Sequence, residues 1–468
     1  MIWFGLTPHE VGTSWRECDT MAIARNFLVD GFDPMRPRVD WRGDTDGAVE
    51  CEFPLYQLMV ATALAVFGEV EWPARLLSLL ALVAAGFALH RLLEWRSGPG
   101  PALAGTLVFL TGSQAVLLAA RVQPDGLSIA FALAGLVAYL HFLGNGNRTS
   151  FWLGVAALTI GTLQKAPTLQ IVGLLGLWTA ALAPRRLLDW RIWTGFAICT
   201  GALAAWLWHG AQLHAETGLT FGVLSAGETK FPGLRQLRDP QVWWSLIETT
   251  TRIGFSPLGC LAMVVLAIRR RFDILDWSLL AIVGAGLVGS LRYSAYAGTG
   301  PHYHVYAAIA GAFFVARCWP ERAPWWLWAL LLAAVGALGT HWLGSERDKL
   351  QRSTNHNNGT LQLAASIQRE FEPTDLAIVR GWREGYDPYW KRRTNYEQPI
   401  LLYQARRRGW VVPRDGFEID KLAELKARGA RFVVNPFPKA TDPEVEAWLD
   451  EHGERVLNEG GSVVYRLE

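Results

Sequence analysis

From residue 73 to 344 the chain is a succession of apolar runs divided by short polar loops. Ten runs stand out: 73–92, 101–120, 124–144, 150–164, 167–183, 190–208, 253–270, 276–295, 302–318 and 324–343. A hydrocarbon core about 30 Å thick needs roughly 17 to 25 mostly apolar helical residues, so each run predicts a transmembrane helix. The two shortest, 150–164 and 167–183, flank Lys165, and an irregular or tilted junction is expected there. After Ser345 charged residues such as Glu370, Lys421 and Glu444 return at ordinary density. Here the pattern alternates between helical and strand periodicity: helices near 358–371, 399–408, 418–428 and 442–452, and strands near 375–379, 431–434 and 462–467. The expected fold class is an α-helical polytopic membrane protein with a small C-terminal soluble α/β domain.

Composition agrees with this pattern. Hydrophobic residues make up 51% of the 468 and charged residues 18%, against about 25% charged in an average soluble chain. A formal net charge of +2 with no basic stripe gives no reason to expect a nucleic-acid partner. Arginine placement orients the helices. Arg91 and Arg96, Arg148, Arg185 and Arg186, Arg269 to Arg271, and Arg317 with Arg322 occupy alternate loops, which the positive-inside rule assigns to the cytoplasm. Facing outward are then residues 1–72, the turns at Arg121, Lys165 and Thr299, the segment 209–252, and everything after Gly344. The protein is expected in the inner (plasma) membrane, with its C-terminal domain extracytoplasmic. Both flanks of the apolar stretch 54–68 fall outside on this count, so it reads as a helix lying in the interface. Met1–Pro8 is too short to carry the first loop across, which predicts a further transmembrane helix upstream. The expected organisation is an outer loop with interfacial helices (1–72), a transmembrane domain (73–344) and a soluble domain (345–468).

Charged groups near a bilayer are costly without a partner or a task. Three carboxylates gather on the outward side: Asp19 in Ser14-Trp15-Arg16-Glu17-Cys18-Asp19-Thr20, Glu52 in Cys51-Glu52-Phe53-Pro54-Leu55-Tyr56, and Asp125 in Arg121-Val122-Gln123-Pro124-Asp125. Pro124 and Asp125 are also ordinary helix-start residues, so a capping role for Asp125 stays open. Lys165 either extends its ammonium to the headgroups or holds a phosphate, with Arg121 and Arg252 as further cations at that level. His302, Tyr303, His304 and Tyr306 open a helix at the same face. No P-loop, dinucleotide fingerprint, zincin pair or nucleophile elbow occurs, so a nucleotide cofactor is not expected.

The runs Trp15-Arg16-Glu17-Cys18-Asp19-Thr20-Met21-Ala22-Ile23-Ala24-Arg25-Asn26-Phe27, Val39-Asp40-Trp41-Arg42-Gly43, Glu52-Phe53-Pro54-Leu55-Tyr56, Ala74-Arg75-Leu76 and Gln123-Pro124-Asp125 together resemble family 39 of the glycosyltransferases. These multi-spanning enzymes of the GT-C fold are related to protein O-mannosyltransferases and the lipid A aminoarabinose transferase. The resemblance runs from Ser14 to about Leu343. It implies an inverting transfer of a sugar from a polyprenyl-phosphate donor to a hydroxyl of a lipid, glycan or protein acceptor. It implies Asp19 as the catalytic base, with Glu52 and Asp125 orienting substrate. Lys165, with Arg121 or Arg252, would stand at the carrier phosphate, and Arg16, His302, Tyr303, His304 and Tyr306 would line the substrate site. The family's outer His-x-Tyr-Tyr segment is matched only loosely by His302 to Tyr306.

Glu52 with His302 or His304 offers a mixed oxygen–nitrogen set that zinc accepts; a divalent cation is therefore one open reading. Cys18 and Cys51 each precede a key carboxylate, and in an oxidising compartment a disulfide between them would tie the two segments together. The competing function is a transporter or flippase of lipid-linked saccharides, for which related halves or helices broken at midplane are expected. The gathering of polar residues at one face favours an enzyme, and the presence of Asp19, Glu52, Asp125 and Lys165 argues against a decayed binding protein.

Overall fold

A computed structural model describes residues 15–223, 233–295, 300–387, 392–394, 396–397 and 399–468. Met1–Pro8, Ser14 and the turn at Thr299 lie outside the described residues. The chain divides into two compact units, one formed by residues 72–206 and 233–347, the other by 15–71, 207–223 and 348–468.

The first unit is helical, and all ten apolar runs contain helix. Trp72–Ser97, Asp125–Asn145 and Trp325–Arg352 are individually long and apolar enough to cross a bilayer. Two bent pairs, Pro99–Thr111 with Ser113–Ala120 (56°) and Pro240–Gly254 with Ser256–Ile268 (104°), raise the number to as many as five. Ala166–Leu182 and Ile274–Gly289 are shorter apolar helices. The chain is an integral membrane protein. Among the described residues fewer of the runs than expected are full-length spans, because some helices are short and two pairs are bent. The first bend falls at Gly112, whose amide returns to Phe109 O instead of continuing the helix. The second falls at Ser256, where a positive φ of 64° follows the π-helical turn Thr250–Gly254.

Close packing in this unit relies on small residues. A Cβ on Gly135 would lie 3.0 Å from Gly154 O, and one on Gly154 3.1 Å from Gly135 O, so Asp125–Asn145 and Arg148–Gln164 meet backbone to backbone. At another end Arg317 pairs with Asp273 (2.9 Å) and Asp276 (3.3 Å), and Arg96 also pairs with Asp273. Trp178 Nε1 donates to Ser278 Oγ at 2.8 Å, which satisfies a buried indole as low-dielectric packing requires.

The second unit is built on a five-stranded sheet of order β4-β1-β5-β7-β6. Its strands are β1 (Leu376–Arg380), β4 (Gly409–Val412), β5 (Ala430–Asn435), β6 (Gly453–Glu459) and β7 (Ser462–Leu467); β2 (Tyr386–Asp387) and β3 (Arg392–Arg393) form a separate ribbon. β1 is parallel to β4 and β5, whereas β7 is antiparallel to β5 and β6. The fold is thus the expected combination of apolar helices and a small α/β domain. β4 and β6 were not foreseen: one is four residues long, and the other is a polar edge strand without apolar alternation. The change to soluble composition at Ser345 falls inside a continuous helix, Trp325–Glu370.

An exposed strand edge invites unwanted pairing. Here the first loop caps the edge of β4: Gly43 N–H donates to Gly409 O (2.7 Å) and Gly409 N–H to Asp40 O (3.2 Å). Gly43 has φ +57°, and a Cβ there would lie 2.0 Å from the Trp410 indole nitrogen. Gly43→Ala is expected to lose about 1–3 kcal/mol, read as a lowered thermal unfolding temperature; an unchanged melt would show that the edge contact is dispensable.

Candidate functional site

In the sheet-containing unit the helix Trp15–Val29 is buried on nearly every side, with Glu17, Cys18, Asp19 and Thr20 all inaccessible. Asp19 is 0% exposed. Its Oδ1 accepts a hydrogen bond from Trp41 Nε1 at 2.9 Å, and its Oδ2 has no hydrogen-bond partner among the described residues. Burial pushes the carboxyl up to about 8 from an ordinary 3.8; the Trp41 hydrogen bond and Arg16 oppose this shift, and Asp40 and Glu397 add to it. A carboxylate in this state has one oxygen held and the other available.

Trp41 is fixed by the residue before it. Asp40 is buried and accepts from Arg25 Nη2 at 2.5 Å and from Asn26 Nδ2 at 3.0 Å. Arg25 also donates to Tyr403 O at 3.2 Å and lies 5.0 Å from the Tyr403 ring centre. One helix therefore carries both Asp19 and the groups that orient its indole donor. Spacing explains this: positions 19, 22 and 26 share a helical face, with Arg25 beside it.

Arg16, one turn before Asp19, pairs with Glu52 at 3.2 Å, so two of the expected site residues meet. Its guanidinium lies 5.3 Å from the Trp15 ring and 5.2 Å from the Phe221 ring. Phe221 is in turn 6.1 Å from Trp41. It is brought there by backbone pairing of Glu50 with 219–221: Glu50 N–H to Leu219 O at 3.2 Å and Phe221 N–H to Glu50 O at 2.9 Å. Asp40, Arg25, Glu50 and Phe221 were missed as site residues. Asp40 stood in plain view in the Val39-Asp40-Trp41 motif, whereas nothing local marks Phe221, which is 170 residues and more from its partners.

Cys18 and Cys51 are both buried and are not joined to each other, and Cys51 Sγ–H donates to Glu52 O at 3.2 Å. The expected disulfide is not formed in this structure. Burial and the neighbouring carboxylates push both thiols well above their usual range, so they are poorly suited to act as nucleophiles.

In the helical unit Asp125 is the first residue of its helix and lies 3.7 Å from Lys165 Nζ. It occupies the first turn of the helix, where Pro124 rather than Asp125 is the N-cap. Lys165 ends the helix Arg148–Gln164 in extended conformation (φ −151°, ψ 114°) before a short 3-10 turn, Ala166–Thr168. This is the irregular junction that the sequence predicts. Beneath it a chain of buried hydroxyls joins three helices: Ser128 Oγ to Gly161 O (2.7 Å) and Thr168 Oγ1 (2.6 Å), and Thr168 Oγ1 to Tyr306 OH (3.0 Å). Tyr306 is therefore placed against the Asp125 helix.

Arg121 pairs with Glu346 at 3.5 Å, and Arg252 is exposed in the π-helical turn. His304 is buried, and its Nε2 lies 2.7 Å from Ser294 O, so that nitrogen carries the proton. The His302 and Tyr303 rings lie 4.5 Å apart, tilted by 35°, and Tyr293 stacks on Tyr303 at 6.0 Å. Among the described residues no three His, Cys, Asp or Glu side chains are gathered as metal ligands. With its Nε2 given to a carbonyl, His304 retains only Nδ1 as a donor to a cation.

No family model matches the chain, and no curated protein matches it in sequence. Among solved structures it is similar to ArnT from Cupriavidus metallidurans in the apo state, with 16% identity and a TM-score of 0.58, covering 99% of this chain and 96% of that one. It is likewise similar to the same protein bound to undecaprenyl phosphate, with 14% identity, a TM-score of 0.57, and coverage of 99% and 97%. The likeness spans both units and gives the chain the GT-C fold of membrane glycosyltransferases.

Proposed function

We propose that the chain is a membrane glycosyltransferase that moves a sugar from a polyprenyl-phosphate donor to an acceptor hydroxyl on the outer face of the inner membrane. The observation that carries this reading is Asp19: a fully buried carboxyl with one oxygen held by Trp41 and the other unpartnered among the described residues. An acceptor hydroxyl has a high pKa and must lose its proton as the new C–O bond forms. Asp19, raised to about 8, is basic enough to take that proton once ionised. The oxygen attacks the anomeric carbon from the face opposite the leaving phosphate, so the configuration inverts. The electron pair of the breaking C–O bond departs with the lipid phosphate.

Lys165 then serves the phosphate, with Asp125 holding the ammonium in place at 3.7 Å. Arg16 and Glu52 form the complementary pair beside the base, and the partly exposed Trp15 ring offers a face on which a sugar can stack. A bound undecaprenyl phosphate in a structure of the same fold supports the choice of donor. The acceptor class, lipid, glycan or protein, is left to experiment.

The test supplies membranes with labelled polyprenyl-phosphate sugars and compares wild type with Asp19→Asn. Transfer by the wild type alone supports the reading, and the labelled product then identifies the acceptor. Equal transfer by both proteins would remove Asp19 from the mechanism. Lys165→Met is expected to raise the donor KM about 10- to 100-fold, the worth of one charge-assisted contact of roughly 1.5–3 kcal/mol. Steady-state kinetics against donor concentration would measure it, and an unchanged KM would separate Lys165 from the phosphate.

A further inference from the structure

The soluble part of the chain contains a second place suited to a ligand. In the sheet, β1 lies between β4 and β5 with all three parallel. The chain leaves β1 toward β4 and leaves β5 toward β7, so the order reverses between β1 and β5. The crevice outside the carboxyl ends of strands at such a reversal is where open α/β sheets bind ligands. A cavity of about 260 Å³ occupies this position, bordered by Arg380, Gly381 and Trp382 from the end of β1, Phe437 beyond β5, and Thr360 and Ser462.

Two features define its chemistry. Arg380 is 5% exposed, and its partners are all neutral: Nη1 donates to Asn435 Oδ1 (3.2 Å), Phe437 O (3.0 Å) and Thr441 Oγ1 (2.8 Å), and Nη2 to Ala440 O (2.9 Å). The Phe417 ring lies 5.1 Å from the guanidinium carbon. Among the described residues no carboxylate pairs with Arg380, its Nε has no hydrogen-bond partner, and Arg414 adds a like charge. A buried guanidinium without a counter-charge is costly, and an anion in the cavity would supply that charge. The second feature is the pair of aromatic residues on the lining, Trp382 and Phe437, which remain 46% and 38% exposed. Flat apolar faces beside hydrogen-bonding groups match the C–H face and hydroxyl rim of a sugar ring.

We propose that this cavity binds an anionic saccharide, a sugar bearing a carboxylate or a phosphate, as the recognition element of the acceptor. Its assignment to the acceptor rests on the glycosyl-transfer reading; the binding itself does not. Trp382 and Phe437 stack on the ring, and the guanidinium charge of Arg380 balances that of the acidic group.

Titration calorimetry on the full chain in detergent, with digalacturonate, glucose 6-phosphate, glucose and inorganic phosphate as probes, tests it. One or both charged sugars are expected to bind at least about tenfold more tightly than glucose or phosphate. Trp382→Ala and Arg380→Gln are each expected to weaken that binding about tenfold or more, whereas Asp19→Asn leaves it unchanged. Trp382 is exposed, so its variant reports even if Arg380→Gln fails to fold. Absence of binding by both charged sugars, equal binding of phosphate, or insensitivity to Trp382→Ala would each overturn the proposal. In transfer assays Trp382→Ala is expected to raise the acceptor KM and spare kcat; an unchanged KM would overturn the acceptor assignment. Normal transfer by Asp19→Asn alongside intact sugar binding would sink the catalytic reading and leave this site standing.

Discussion

Replacing Asp19 with Asn is expected to lower kcat for sugar transfer by about 10²- to 10⁴-fold, the usual contribution of a positioned general base. The substitution keeps the size of the side chain, and its amide oxygen can still accept from Trp41 Nε1, so geometry is retained while proton acceptance is lost. The pH dependence identifies the cause. Only ionised Asp19 accepts a proton, so wild-type kcat/KM is expected to rise about tenfold per pH unit below a pKa near 8 and to level off above it. Asp19→Asn should lack that limb. Stability moves the opposite way. The folded-state pKa lies above the unfolded value of 3.8, so between about pH 4 and pH 8 the folded protein binds more protons than the unfolded chain. Stability therefore falls as pH rises through that window, by at most about 1.4 kcal/mol per unit. Thermal unfolding at pH 5 and pH 8 measures this, and the Asn variant should gain on the wild type at the higher pH. A wild-type melt that rises with pH in step with the variant would contradict a buried Asp19.

Arg25→Met is expected to destabilise the sheet-containing unit by about 3–5 kcal/mol, because it strands the buried Asp40 carboxylate with a single amide donor, Asn26. Its interaction with the Tyr403 ring and carbonyl is lost as well. The double variant Arg25→Met/Asp40→Leu removes both charges and should recover much of the loss, since a desolvated ion pair is often replaceable by apolar packing. Activity should not recover in parallel, because Asp40 sets the Trp41 indole that holds Asp19. Unfolding and transfer measured on the same preparations separate the two effects. Equal recovery of both would mean that Trp41 is positioned by other contacts.

How far the site was legible depends on where each signal lay. Asp19, Glu52, Asp125 and Lys165 announced themselves as charged groups in apolar or interfacial surroundings, where their cost demands a reason. The break at Lys165 was visible because the two shortest apolar runs flank that residue. Pairings were another matter. Nothing in the spacing of Arg16 and Glu52, or of Asp125 and Lys165, states that they meet. Phe221 could not be assigned at all, since it reaches Trp41 through a two-residue backbone bridge to Glu50. The Arg380 cavity was missed for a similar reason: its floor, its aromatic faces and its empty polar position come from segments separated by up to about a hundred residues.

By itself the sequence determined the membrane-embedded character of the chain, its α/β tail and the identity of the carboxylates worth attention. Hydrophobic periodicity and the cost of a bare charge are local properties that a linear text carries. The tertiary structure decided which apolar runs are unbroken and which bend at Gly112 and Ser256. It joined the first loop to the soluble domain as a cap on the β4 edge, and it left Cys18 and Cys51 as separate thiols. It also turned Asp19 from a charged residue near the membrane surface into a fully buried carboxyl with one oxygen unpartnered among the described residues. Desolvation depends on everything packed around a group, and that sum exists only once the chain has folded.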